Sequence, residues 1–443
     1  MKAIHLNNLW TARALSQAYF RPKPGAHSLA VFVLLGLLLL ACWPQDALGQ
    51  RRRAPRSGTT KAPATEPVIA QAQNGSPEDF EKLAAEASVA REGDRLDEAI
   101  AGYKKALAIR PQWAEGWWYL ATIFYDRDNY AEAARAFREA ARLQPKAGAA
   151  WAMLGICEFQ LGRYDDSLIH IQQGRQLGVG DNAELTRVMR YHEGVLSILK
   201  GEFERGQQTL GTLSYEGLKS EDLIIALGLA TLRIGMTPKQ IDINYRDRNL
   251  IRRAGLAEHF AAQKNMSDAQ REYDLLARDY AKVPNVQYAY GRYLMANRDE
   301  DGALAAFLKE LENWPKHVLA RCQIANIKLQ HKEIEAGLAY AEEAAKQAPR
   351  LPLAHYLLGR LLLEAGQNAR AVEELEMAAK MVPNEAKTYF ALARAYTRVK
   401  RKADADRARE TFTRLSKEAN QGDGQGSSVL PDDTAAPEKP PEQ

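Results

Sequence analysis

A small side chain returns along this chain at a nearly constant interval: Ala121, Gly155, Gly194, Gly228, Ala257, Gly291, Ala325, Gly359 and Ala393, with most steps 34 residues long. Around Ala121, the residues Trp117, Leu120 and Phe124 complete an i, i+3, i+4, i+7 stripe, the signature of one helix face. Ala133, Phe137 and Ala140 draw a second stripe, and the polar break at 126–129 between them leaves room only for a tight turn between antiparallel helices. Pro145 ends the second helix, because its ring disfavours the helical conformation one residue earlier. A small residue at the ladder position lets the two helices approach closely. One such pair cannot bury its own apolar stripes, so copies must stack, and an array of this kind has no domain-size ceiling even at 443 residues.

The unit at 115–145 resembles the tetratricopeptide repeat family, whose pattern is W-x2-L-G-x2-Y, then A-x3-F, then P. Trp117, Leu120, Ala121, Phe124, Ala133, Phe137 and Pro145 match it nearly position for position. The resemblance implies an all-α fold, a right-handed superhelical solenoid of about ten helix-turn-helix repeats. It also implies a binding scaffold. The third unit keeps Trp151, Leu154 and Gly155, but Ser167 and Gly174 replace two packing alanines, so its second helix is expected to pack less tightly.

The ends of the chain read differently. Basic residues without an acid precede the charge-free run at 29–41, LAVFVLLGLLLLA, which is too short for a bilayer span but suits an export signal. The first 49 residues are therefore expected to be a signal, with a cut before Gln50 favoured and lipidation of Cys42 the alternative; an uncleaved anchor comes third. The segment 50–75 is a Pro/Ala/Thr linker rich in basic residues, and 418–443 is an acidic Gly/Pro tail; neither carries enough apolar surface to offset the entropy of ordering. Between them lie an N-terminal array at 76–235, an irregular joint at 236–250 where the second helix of the fifth unit looks short, and a C-terminal array at 251–417. The expected location is exported: periplasmic or envelope-associated.

Charge and chemistry exclude more than they assign. A net charge of +4 from 60 basic and 56 acidic residues is no nucleic-acid field. Cys157 and Cys322 sit several repeats apart and read as buried thiols. No two histidines have helical metal-ligand spacing, and the calcium-like start at 297–302 puts Leu308 where the closing carboxylate belongs. In the repeat frame 297–302 is a turn. No cofactor, metal or catalytic residue is expected, and the reading is non-enzymatic.

In the repeat family, first-helix positions one, five and eight residues after the leading aromatic line the concave surface. Carried over, the resemblance offers Trp118, Tyr125, Phe159 and Tyr191 in the N-terminal half, and Tyr288, Arg292, Asn326, Tyr356, Arg360, Phe390 and Arg394 in the C-terminal half, as partner-binding residues. An aromatic beside an arginine recurs at Tyr288/Arg292, Tyr356/Arg360 and Phe390/Arg394, a combination that favours an extended, partly acidic peptide. The expected function is an exported scaffold for protein-protein interactions in bacterial envelope or secretion assembly. The alternative is an accessory subunit of an enzyme system such as polysaccharide export.

Export is directly testable. N-terminal sequencing of the exported form should begin at Gln50 or show a blocked, lipid-modified Cys42; a cytoplasmic form still starting at Met1 overturns both.

Overall fold

The computed structural model describes residues 76–421, all of them helix and connecting turn. The expected export signal, Cys42, the linker and the tail beyond residue 421 lie outside the described residues. The described part divides into two compact units between Thr186 and Arg187. The first pairs α1 (Pro77–Glu92) with α2 (Leu96–Ile109), α3 (Ala114–Asp126) with α4 (Tyr130–Leu143), and α5 (Gly148–Gln160) with α6 (Tyr164–Leu177). Helix α7 (Ala183–Leu199) begins there and continues into the second unit, where α8 (Phe203–Tyr215) follows it. Next come α9 (Glu221–Thr231), then α10 (Arg248–Ala262) with α11 (Met266–Asp279), and α12 (Val286–Ala296) with α13 (Glu300–Asn313). The second unit ends with α14 (Val318–Gln330) and α15 (Ile334–Gln347), α16 (Pro352–Glu364) and α17 (Asn368–Met381), and α18 (Ala386–Arg398) and α19 (Lys402–Gln421).

A second ladder runs through the turns. Each first helix is followed by one residue with positive φ: Asp94, Asp128, Gly162, Gly201, Arg233, Lys264, Arg298, Lys332, Gly366 and Lys400. One left-handed residue reverses the chain within three or four positions, and seven of these ten carry a side chain that disfavours that conformation. Polar caps then restart the helix: Asn129 accepts from Glu132 N–H, Asn265 from Asp268 N–H, and Asp299 from Gly302 N–H. The 297–302 stretch is thus the turn into α13, with Asp299 as its cap.

The small-residue ladder is where paired helices meet. A Cβ at Gly194 would fall 2.6 Å from Leu210 Cγ, one at Gly291 2.5 Å from the Phe307 ring, and one at Gly359 2.6 Å from Leu375 Cγ. The third unit departs from expectation. Gly174 lets α6 approach until a Cβ there would lie 2.8 Å from Ala152 N, and one at Gly155 would lie 2.8 Å from Ser167 O. Gly174 therefore tightens this pair instead of loosening it, since a side chain smaller than alanine shortens the approach where backbones face each other.

The leading aromatic position has its own physical reason. Trp117 Nε1 donates to Pro111 O at 2.9 Å and Trp151 Nε1 to Pro145 O at 3.0 Å. In later copies Arg321 Nη2 donates to Pro315 O at 2.6 Å and His355 Nε2 to Pro349 O at 3.1 Å. Tryptophan, arginine and histidine share this frame position because each satisfies the carbonyl left open where proline ends the previous helix. Proline cannot continue the helix, so that carbonyl needs a side-chain donor.

The fifth repeat has a first helix, α9, and no second. Residues 232–247 carry only a short 3-10 helix at Pro238–Gln240, and the segment expected as an irregular joint lies inside the second unit. Helix α10 closes directly on α9: a Cβ at Gly228 would sit 1.9 Å from Ile251 O and one at Gly255 1.8 Å from Ile224 O. Glu221 then ties the connection down, accepting from Arg248 Nη2 at 2.8 Å and Arg252 Nε at 3.2 Å.

Two substitutions separate packing from backbone cost. Gly359→Leu should destabilise by about 3 kcal/mol by overpacking against Leu375. Gly366→Ala, at φ +77° with nothing within 4 Å, should cost only about 1 kcal/mol of left-handed strain. Urea denaturation of both variants checks the order; equal losses would show that the ladder contact is not tight.

Candidate interaction surface

The first unit buries one of its three expected partner-binding residues and leaves two half-buried. Trp118 is buried, its ring set edge-on against Phe137 with centroids 5.3 Å apart, and Thr122 Oγ1 donates back to Tyr119 O at 2.8 Å. Tyr125 and Phe159 are half-buried, each meeting an aromatic at the start of the following second helix: Tyr125 meets Tyr130 at 5.7 Å and Phe159 meets Tyr164 at 5.4 Å. These two remain the reachable aromatics of the set in this unit.

In the second unit the aromatics and arginines divide the work. Tyr288, Asn326 and Tyr356 are buried, whereas Tyr191, Arg292, Arg360, Phe390 and Arg394 are half-buried. Tyr288 packs against Phe307 and His317 with centroids 5.8 and 4.9 Å away, so its ring fills core between helices. The three arginines sit at one frame position but have partners within the chain. Arg360 Nη1 donates to the Tyr356 hydroxyl at 3.3 Å, Arg394 Nη2 pairs with Glu364 at 3.0 Å, and Arg292 Nη1 donates to Gln207 Oε1 at 3.1 Å. Phe390 leans on Phe412 at 5.4 Å. Arg360 therefore lies on α16 and Phe390 and Arg394 on the next first helix, α18, where Arg394 meets Glu364 of α16, and Arg292 stands apart against α8.

Sequence reading missed a buried polar centre beside Tyr288. Glu310, fully buried, stands at the frame position that holds Ala106, Ala140, Ala344 and Ala378 in other copies, and that mismatch was the available signal. Its carboxylate accepts from Asn285 N–H at 2.7 Å and Tyr288 N–H at 3.1 Å, capping the amino end of α12. His317 Nδ1 accepts from Ala320 N–H, so its Nε2 carries the proton and donates to Asn285 Oδ1 at 2.9 Å. Asn285 Nδ2 in turn donates to Leu232 O at 3.1 Å, joining α12 to the end of α9. Burial raises the Glu310 carboxyl, against the lowering by those backbone N–H groups. A comparable buried acid, Glu158, meets Arg138 at 2.9 Å and His170 at 2.5 Å in the first unit. Cys157 and Cys322 are buried thiols, and burial pushes Cys322 up to about 12.

Among the described residues no cluster of His, Cys, Asp and Glu could hold a metal ion, and no helix is long and apolar enough to cross a membrane.

Comparison with known families gives one match. The tetratricopeptide repeat family profile aligns to residues 119–177, 255–318, 322–386 and 356–423, together just over half of the chain. No curated protein sequence matches. Among solved structures, MamA 41-end from Desulfovibrio magneticus RS-1 is 25% identical over 39% of this chain and 96% of its own, with a TM-score of 0.33. The APC/C hetero-tetramer Cut9-Hcn1 is 14% identical over 77% of this chain and 88% of that one, with a TM-score of 0.35. The family assignment rests on the profile match.

Two histidines make the second unit acid-sensitive. Burial, partly offset by the bond from His192 Nδ1 to Val188 O, pushes His192 down to about 4. Burial, offset in part by a backbone hydrogen bond and reinforced by the Arg233 charge, pushes His317 down to about 4 as well. The unfolded chain takes up these protons near pH 6.5 and the folded chain only near 4, so between those values the unfolded state binds more protons and stability falls on acidification. The loss is on the order of 3 kcal/mol per histidine, offset in part by Glu310, whose raised pKa acts in the opposite sense. Thermal unfolding followed between pH 7 and 4 should show it, and His192→Gln should flatten the slope; an unchanged slope would remove His192 from the account.

Proposed function

Because the chain belongs to the tetratricopeptide repeat family, we propose that it is an exported, non-enzymatic scaffold that holds protein partners in extended form during envelope or secretion assembly. The family membership supports interaction with proteins as the coarse role. The charge-free 29–41 run after a basic lead supports export, and the linker at 50–75 supplies reach between an envelope-facing end and the repeats. Recurrence carries the partner class: Arg360 and Arg394 stand half-buried at one frame position, with Phe390 beside them. Their guanidinium forks match carboxylates and peptide carbonyls, and the aromatic ring adds contact area at low entropy cost. The favoured partner is an extended, partly acidic peptide segment.

A photo-crosslinking residue placed at Phe390 in cells should capture a partner, and the same residue at Tyr215, 65% exposed on α8, should not. Capture at Phe390 should be lost in the Arg360→Ala/Arg394→Ala variant while helicity stays intact, since partly solvated pairs such as Arg394–Glu364 contribute little to folding. Equal capture at both positions, or capture that survives loss of both arginines, overturns the assignment to this face.

A further inference from the structure

The missing second helix of the fifth repeat brings together residues that a regular array would hold apart. Arg292 on α12 reaches α8, 85 positions earlier, where its Nη1 donates to Gln207 Oε1 at 3.1 Å. One turn back on α8, Glu204 pairs with Arg233 and lies 3.9 Å from Arg292. Arg233 is the left-handed turn residue after α9, and its guanidinium lies 4.8 Å from the centroid of the Phe203 ring. Two arginines thus converge on one carboxylate. Their side chains are 19% and 33% exposed and that of Glu204 is 45% exposed, so the cations lie deeper than the anion that covers them.

We infer that Arg233 and Arg292 form an anion site that Glu204 occupies from within the chain, and that a carboxylate of an extended acidic partner takes the same place. This inference rests on the reading of the chain as a peptide-binding scaffold. The donor count favours exchange: Glu204 and the more distant Glu258 both act on Arg292, but its single hydrogen bond, to Gln207, leaves most of its donors for a further acceptor. Partial burial raises the Glu204 carboxyl and the charges of Arg233 and Arg292 together overcome it, so Glu204 is ionised at neutral pH and competes as a carboxylate. Glu204 stands in the first turn of α8, where the helix dipole favours a negative side chain even without its arginine partners. Of the neighbouring groups, Tyr288 is buried with its hydroxyl held in the neutral form, His317 is neutral above about pH 4, and Glu258, which accepts from the Tyr273 hydroxyl at 2.7 Å, is a further anion acting on Arg292.

Neighbouring substitutions should move binding in opposite directions. Fluorescein-labelled hexaglutamate, titrated into the full-length protein and followed by anisotropy, should bind about three- to tenfold more tightly to Glu204→Gln than to wild type. Adding Arg292→Gln should remove that gain. The Arg360→Ala/Arg394→Ala variant should keep the gain from Glu204→Gln, because those arginines lie on α16 and α18; failure of that face and failure of this site are therefore separable. Thermal unfolding within a few degrees of wild type confirms that each variant is folded, and Glu204→Asp serves as the conservative control, with affinity near wild type. Equal or weaker binding by Glu204→Gln, or a gain that persists without Arg292, overturns the inference.

Discussion

The close approach of paired helices at one small residue per repeat is the constraint on which the other features depend. At Gly194, Gly291 and Gly359 an added methyl group would press within 2.6 Å of a leucine or phenylalanine side chain, and at Gly228 within 1.9 Å of a backbone oxygen. With the axes that near, the large residues Phe137, Phe307 and Leu375 are fully buried. Each pair then presents apolar surface to the next, and stacking completes what one pair cannot bury.

Close stacking makes every open backbone group expensive, and the repeats meet this with side-chain donors and acceptors at fixed frame positions. The carbonyls of Pro111, Pro145, Pro315 and Pro349 take an N–H from Trp117, Trp151, Arg321 and His355. The N–H groups at the start of α12 take the buried Glu310 carboxylate instead. At these four positions residue identity varies while the donated N–H is kept. For this reason a landmark defined by tryptophan still works where histidine or arginine replaces it.

One irregularity gives the array its individual features. Omitting a single second helix lets α10 close on α9 through the facing Gly228 and Gly255. It also places Arg292 against Glu204 and Gln207, residues of a repeat that a regular stack would keep remote. Repetition builds the scaffold, and the departure from repetition builds a site. The recurring arginines illustrate both: Arg360 and Arg394 follow the frame on neighbouring first helices, while Arg292 at the same frame position serves a different neighbour.

The sequence by itself determined the helical class, the repeat length, the turn positions and the family, because helix periodicity and the small-residue ladder are local properties repeated many times. It also marked the fifth unit as irregular, through the weak pattern after Met236 and the shortened step to Ala257. Only the tertiary structure decided which first-helix residues face solvent, since Trp118, Tyr288 and Tyr356 share the frame of Tyr125 and Phe390 yet are buried by neighbours that the frame does not specify. It alone showed that Gly174 tightens the third pair, because the effect of a smaller side chain depends on what lies opposite. The approach of Arg292 to Glu204 and Gln207 was likewise hidden: Glu204–Arg233 is a neighbour-repeat pair like Asp97–Arg127, but contacts between residues 88 and 85 positions apart follow from how a missing helix redirects the chain, which no local pattern encodes.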